Sequence, residues 1–269
     1  MVTYTSEKTL ELIKPRKEDS NKYDFGCLAM LCGSPLMTGA AVLSATAALR
    51  SGIGLLRVCG NGETLAKLQA VLFEPVFLPT ERIFEPKSQA FLCGCGIGRI
   101  YDDILTDILE RCEIPAVLDA DCINFLSAHN DVLGRMKCKK IITPHAAEMA
   151  RLCGLTVNEV QADRKACALN AARKFDCVAV LKGHETVIAS PDGQVVINTS
   201  GSSALAKGGS GDVLAGVIGG LSAQGYEPFD AAVLGVYLHG FAADRLSKKL
   251  GKHGVLPSDL PLEIGFLLG

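Results

Sequence analysis

Short apolar runs without polar alternation recur along this chain, and most are followed by a polar cluster and then a helical pattern. Strands that are apolar on both faces must be covered on both faces, which confines such a chain to a sheet between helix layers. Residues 27–32 (Cys-Leu-Ala-Met-Leu-Cys) read as the first strand; Gly33-Ser34-Pro35 breaks it, and a helix follows over 39–50. Further strands are expected over 53–59, 90–94, 115–119, 140–142 and 177–181, with helices over 101–111, 146–153 and 158–174. Residues 185–189 and 194–198 read as a hairpin turning at Pro191-Asp192-Gly193. Two long helices over 211–223 and 229–247 complete the pattern. This order predicts a doubly wound α/β fold with a mostly parallel sheet. No linker, repeat or low-complexity tract divides it, so residues 1–269 are expected to form a single domain.

The chain is 48% hydrophobic, lacks Trp and carries a formal net charge of −2, enough apolar material for a sizeable core. Lys and Arg form only short pairs such as Lys139-Lys140 and Lys248-Lys249, so neither nucleic acid nor an anionic membrane surface is expected as a partner. Met1 to Ser20 lacks the apolar segment of a secretion signal, and no apolar stretch is long enough to span a bilayer. A cytoplasmic protein is expected. Most of the eleven cysteines, such as Cys27, Cys32, Cys59, Cys153, Cys167 and Cys177, sit in apolar runs as small hydrophobes. The close pair Cys93-Gly94-Cys95 lacks the spacing of a structural zinc site, so reduced thiols and no protein-held metal are expected.

The polar clusters share a position. Gly33-Ser34, Gly94 to Gly98, Asp119 to Asn124, Thr143 to Glu148 and Lys182 to Thr186 each follow a predicted strand. In open parallel sheets, ligands bind at the carboxyl ends of strands. Gly94-Cys95-Gly96-Ile97-Gly98 lacks the spacing of a dinucleotide fingerprint, and no Walker loop occurs. Asp119 and Asp121 could hold Mg²⁺, or form a turn in which Asp121 caps a helix carrying Ile123 and Phe125. His145 could contact a substrate amide or phosphate, or cap a helix. Glu148 could complete that cap or join a metal shell. Lys182 could meet a phosphate or remain solvated. His239 reads as a core or interface histidine.

The richest stretch is residues 206–216, Ala-Lys-Gly-Gly-Ser-Gly-Asp-Val-Leu-Ala-Gly, a glycine loop feeding an apolar helix. Unpaired N–H groups at a helix start attract anions, and glycines let the backbone approach a phosphate. Asp212 would repel that anion, which suits a base that deprotonates a hydroxyl as it meets phosphorus. A helix-capping Asp after a flexible loop is the other reading.

Together these motifs resemble the stand-alone ADP/ATP-dependent NAD(P)H-hydrate dehydratases of the ribokinase-like superfamily. The likeness runs from about Lys22 to about residue 250. Its motifs here are Leu-Cys-Gly-Ser with Thr-Gly-Ala-Ala, Ala-Ala-Leu-Arg-Ser-Gly-Ile-Gly, Leu-Asp-Ala-Asp-Cys-Ile-Asn, Ile-Thr-Pro-His-Ala-Ala-Glu-Met, Val-Leu-Lys-Gly and the 206–216 loop. The resemblance implies a three-layer α/β/α fold and repair of NADH and NADPH hydrated at the nicotinamide ring. The ring hydroxyl would be phosphorylated, with ADP favoured over ATP as donor and Mg²⁺ screening the phosphates, then lost as phosphate. By the same likeness Asp212 is the base, and the backbone of Gly209, Ser210 and Gly211 forms an anion hole. Ala41, Gly96, His145 and Asp212 would contact the hydrated dinucleotide; Lys182, Gly183, His184, Glu185, Thr186 and Gly211 would contact the nucleotide. Asp119, Asn124 and Glu148 are further candidates. A homo-oligomer such as a tetramer is implied, with the partner epimerase supplied by another chain.

The sequence departs from the family's pattern in two places. Gly94-Cys95-Gly96-Ile97-Gly98 stands for the usual Gly-Pro-Gly-Leu-Gly, and Thr199-Ser200-Gly201-Ser202-Ser203 for Thr-Gly-Asn, which leaves the sugar contacts open. A vitamin-precursor kinase on the same fold would also use the Asp212 loop. A non-catalytic nucleotide-binding protein would have no use for a carboxylate facing phosphate.

Overall fold

A computed structural model of the chain describes residues 2–85 and 87–269. From the N-terminus the elements are β1 (Val2–Tyr4), β2 (Cys27–Leu31), α1 (Thr38–Arg50), β3 (Leu55–Gly60), α2 (Gly62–Gln69), β4 (Val76–Pro79) and β5 (Ala90–Cys93). Then come α3 (Asp102–Glu110), β6 (Ala116–Leu118), α4 (Ala120–Ala128), α5 (Asp131–Arg135), β7 (Lys140–Ile142), α6 (Ala146–Cys153), α7 (Val157–Ala162), α8 (Arg164–Phe175) and β8 (Val178–Leu181). The hairpin β9 (Val187–Ala189) and β10 (Val195–Ile197) follows, and α9 (Ser210–Ala223), α10 (Pro228–Gly254) and α11 (Leu260–Leu267) close the chain.

The strands form one sheet in the order β1-β10-β9-β8-β7-β6-β5-β2-β3-β4. β9 runs against both its neighbours; every other adjacent pair is parallel. Every residue of β2, β5, β6, β7 and β8 is buried, as non-alternating runs require. Successive side chains go to opposite faces. Leu28 and Met30 join one core with residues of α1, α9 and α10, while Ala29 and Leu31 join another with residues of α3, α4 and α8. The apolar faces of residues 39–50 and 231–242 are therefore largely core.

The expected fold class is the observed one. The helix expected over 158–174 is two helices. Asp163 interrupts it with an extended φ of −145°, and its carboxylate accepts from the Ala166 N–H at 2.9 Å to start α8. α10 runs past residue 247 and loses helical geometry at Gly251, where φ is +72°. β1 and β4 were not expected: they are short edge strands whose exposed Tyr4 and Val76 interrupt any buried run. The cysteines carry no disulfide, and all but Cys153 are buried. Among the described residues no helix is long and apolar enough to cross a membrane.

One packing feature sets the position of α9. A Cβ added at Gly216 would lie 2.2 Å from the Ser44 carbonyl oxygen, and one at Gly220 would lie 2.0 Å from Ser51 Oγ. The glycines let α1 and α9 approach closer than any side chain allows. Gly216→Ala should therefore lower stability by about 1–3 kcal/mol through overpacking, against the helix preference for alanine. Gly134→Ala, in open space on α5, should be neutral or stabilising. Thermal unfolding of the two variants checks the opposite signs.

Candidate functional site

The carboxyl ends of β5 to β8 converge with the start of α9, and each brings one part of a polar cluster. After β5 the chain turns through Gly94, whose φ is +124°. A Cβ there would fall 1.9 Å from the Asp119 carbonyl oxygen, so this turn needs glycine. Gly96 is also tight, with a Cβ position 2.7 Å from Ala40 Cβ on α1.

Asp119, at the end of β6, is 1% exposed. Its Oδ1 accepts from Thr143 Oγ1 at 2.7 Å and from Lys182 Nζ at 2.6 Å, and the Cys95 thiol faces Oδ2 at 3.6 Å. Lys182 Nζ also lies 3.9 Å from Glu148. Burial would push the ammonium pKa down, but the charges of Asp119 and Glu148 outweigh it and hold the pKa above the ordinary lysine value. Lys182 is thus a charged, ion-paired residue, not a solvated one.

His145 caps α6. Its Nδ1 accepts from the N–H groups of Ala147 and Glu148 at 3.1 and 3.3 Å, and Glu148 Oε2 accepts from the His145 N–H at 2.8 Å. This reciprocal box fixes the tautomer: Nδ1 is an acceptor, so the proton sits on Nε2, 3.3 Å from Glu148 Oε1. The imidazole itself stays half exposed.

The glycine loop ends at Gly209 (φ +97°), and α9 begins. Ser210 N–H donates to the Lys207 carbonyl and Val213 N–H to that of Gly209, which leaves those of Gly211 and Asp212 open at the helix start. Lys207 Nζ holds the loop against the end of α10 by donating to the carbonyls of His253, at 2.7 Å, and Val255. A Cβ on Gly211 would lie 3.6 Å from Lys182 Nζ, so the ammonium stands beside the open N–H groups. One ligand-type atom from each of Cys95, Asp119 and Asp212 lies within 4.8 Å of the others. Burial, with the Asp119 charge behind it, raises the Asp212 pKa to about 6 against the opposing pull of the Cys95 thiol and Lys182.

That trio does not fit a dedicated magnesium cage. Mg²⁺ asks for hard oxygen donors, whereas Cys95 is soft and an ammonium already neutralises Asp119. Magnesium suits this cluster only as an ion carried on phosphate oxygens.

Other expected residues are dispersed. Ala41 is fully buried on α1, and Gly96 is buried beside that helix. His184 and Glu185 are exposed in the turn after β8, where Thr186 Oγ1 donates to the Gly183 carbonyl at 3.0 Å. A Cβ on Gly183 would fall 2.9 Å from the Arg164 guanidinium. Asn124 is exposed and accepts from Arg151 at 2.7 Å. Asp121 is not the α4 cap: Asp119 takes that position, and Asp121, in the first turn, accepts from the Gly98 N–H at 2.8 Å. Cys95 as a neighbour of both carboxylates, and Arg164 as the wall of the Gly183 turn, gave no signal in the sequence.

Known proteins share this arrangement of the chain. The chain is 43% identical to an ADP-dependent (S)-NAD(P)H-hydrate dehydratase from Neisseria meningitidis, over 89% of its own length and 83% of that protein. It is 38% identical to a bifunctional NAD(P)H-hydrate repair enzyme from Moorella thermoacetica, spanning 91% of itself and half of that longer protein. In three dimensions it matches the ADP/ATP-dependent NAD(P)H-hydrate dehydratase of Bacillus subtilis, co-crystallised with ATP/Mg²⁺. The TM-score is 0.87 at 31% identity, covering 98% of this chain and 96% of that one. The shared architecture is the ribokinase-like three-layer fold. With residues 28–264 matched by the family's own sequence model, the chain belongs to the NAD(P)H-hydrate dehydratase family.

Proposed function

We propose that this chain restores NADH and NADPH from their ring-hydrated forms in a nucleotide-dependent dehydration, with Asp212 as the base. The observation that carries this reading is a raised-pKa carboxylate in the first turn of α9, next to open N–H groups and a fixed ammonium. The N–H groups and Lys182 favour a phosphoryl group there, and Asp212 faces the atom that must lose a proton. Asp212 takes the hydroxyl proton as that oxygen attacks the terminal phosphorus of ADP, and the bond to the AMP leaving group breaks. The ring carbon then releases phosphate with the C–O electron pair, the adjacent carbon loses a proton, and the ring double bond returns. The turn from Lys182 to Thr186 and Gly211 would hold the nucleotide. Ala41, Gly96 and His145 would flank the dinucleotide, with Asp119, Glu148 and Asn124 as further candidates. Mg²⁺, when bound with the nucleotide, neutralises phosphate charge.

ADP is the favoured donor, giving AMP. We place the reaction in the cytoplasm, in a homo-oligomer. A vitamin-precursor kinase would share the Asp212 loop, but the family relationship favours the dehydratase.

Purified protein with hydrated NADH, Mg²⁺ and ADP should regain the reduced-nicotinamide absorbance band, and should not without nucleotide. No recovery with either ADP or ATP, from folded protein, would sink the reading. Asp212→Asn should cut kcat by about 10²–10⁴-fold while nucleotide affinity persists, as befits a lost base.

The raised pKa predicts two pH effects of known sign. The base is active when ionised, so kcat/KM should climb with pH through about 6 and level off above it. For stability, a folded-state pKa above the unfolded value gives a contribution present at low pH and lost as pH rises through about 6. Asp212→Asn, which cannot ionise, should therefore melt higher than the parent protein above that pH. The gap should close as pH falls toward the ordinary carboxylate range, and melting curves across pH measure it.

A further inference from the structure

His239 lies in α10, behind the start of α9. Its residue is 7% exposed and that of Ser210 is 6% exposed. Neither His239 Nε2 nor Ser210 Oγ has a hydrogen-bond partner. Burial lowers the imidazole pKa to about 4, with the Ser210 backbone beside the ring opposing that shift and the Lys182 charge adding to it. The ring is neutral at neutral pH.

A buried ring nitrogen and a buried hydroxyl therefore stand unsatisfied at one helix start, the one that carries Asp212. Leaving such groups unmade is costly, and an apolar side chain in α10 would avoid the cost on its side. Packing alone does not call for an imidazole. The same stretch of α10 already braces the approach to the glycine loop: Ser200 Oγ donates to the Tyr237 carbonyl at 2.9 Å, and a Cβ on Gly240 would lie 2.3 Å from Ser200 Oγ.

We propose that His239 is a positioning residue for the phosphoryl-transfer step: Nε2 pairs with the Ser210 hydroxyl when phosphate closes on α9, which fixes the peptides from Ser210 to Asp212 beneath it. The inference rests on the reading of that helix start and Asp212 as the reaction site. His239 touches no reacting atom. Its effect belongs to kcat and passes through Ser210.

The experiment compares His239→Leu, His239→Gln, Ser210→Ala and the double variant His239→Leu/Ser210→Ala, with Asp212→Asn alongside, reading kcat, KM for ADP and for hydrated NADH, and melting temperature. Expected is a fall in kcat of about tenfold or more in His239→Leu with both KM values held, a similar fall in Ser210→Ala, and no further fall in the double variant. His239→Gln, which keeps a polar end able to donate or accept, should recover part of the loss. Unchanged kcat in His239→Leu, additive losses in the double variant, or a loss confined to KM and melting temperature would overturn the proposal. Should His239→Leu fail to fold, Ser210→Ala and the His239→Gln/Ser210→Ala pair decide the same coupling. Turnover surviving in Asp212→Asn would overturn the site reading and this inference together. An inactive Asp212→Asn beside a normal His239→Leu would overturn this inference alone.

Discussion

The buried ion pair between Asp119 and Lys182 is the interaction on which the site depends. Two charges withdrawn from water are costly unless geometry and further hydrogen bonds repay them. Here the 2.6 Å contact is supported by the Thr143 hydroxyl on the same carboxylate oxygen and by Glu148 near the ammonium. Each group comes from a different strand end or the helix after it, so satisfying the pair draws β6, β7 and β8 into register at their carboxyl ends. The backbone continues that pairing, with Lys182 N–H donating to the Pro144 carbonyl at 2.8 Å. The ammonium then faces the start of α9, and the Asp119 charge adds to the rise in the Asp212 pKa. One electrostatic knot therefore both orders the loops and prepares the carboxylate.

Much of the sheet was legible because its strands are buried on both faces, and a run such as residues 27–31 has few other readings. The clustering of polar residues at strand ends followed from the same pattern. Edge strands escaped because β1 and β4 are half solvated and too short to show a period. At the site, residue types pointed to Asp212, Lys182 and His145, but their states depended on partners distant in sequence. Lys182 looked equally able to be solvated until Asp119, 63 residues away, was placed against it. His145 was open between cap and ligand contact; its Nδ1 is committed to the helix and its Nε2 lies 3.3 Å from Glu148, while the ring stays half exposed. Asp121 was open between a magnesium ligand and a helix cap; the cap position falls to Asp119, because sequence alone does not fix which carboxylate precedes the first helical turn.

The departure at Cys95 has a physical reading. The thiol occupies the position that the family resemblance assigns to proline, and it faces Asp119 while pulling the Asp212 pKa down. A weak donor there adds to Lys182 in moderating the repulsion between two carboxylates. The turn keeps its shape without proline because Gly94, Gly96 and Gly98 all hold positive φ and Gly33 N–H donates to the Cys95 carbonyl at 2.7 Å.

α1 touches both glycine turns. Ala40 closes on Gly96, and Leu43 Cδ1 would lie 2.5 Å from a Cβ on Gly209. With Gly216 and Gly220 locking α9 against the same helix, α1 works as a gauge block: a single rigid spacer sets the gap between the turn after β5 and the turn before α9. Neither lip can shift without carrying the other. A cleft built this way is already at its working width before anything enters it, so the cost of assembling it is met during folding, once, and is not charged again at each turnover.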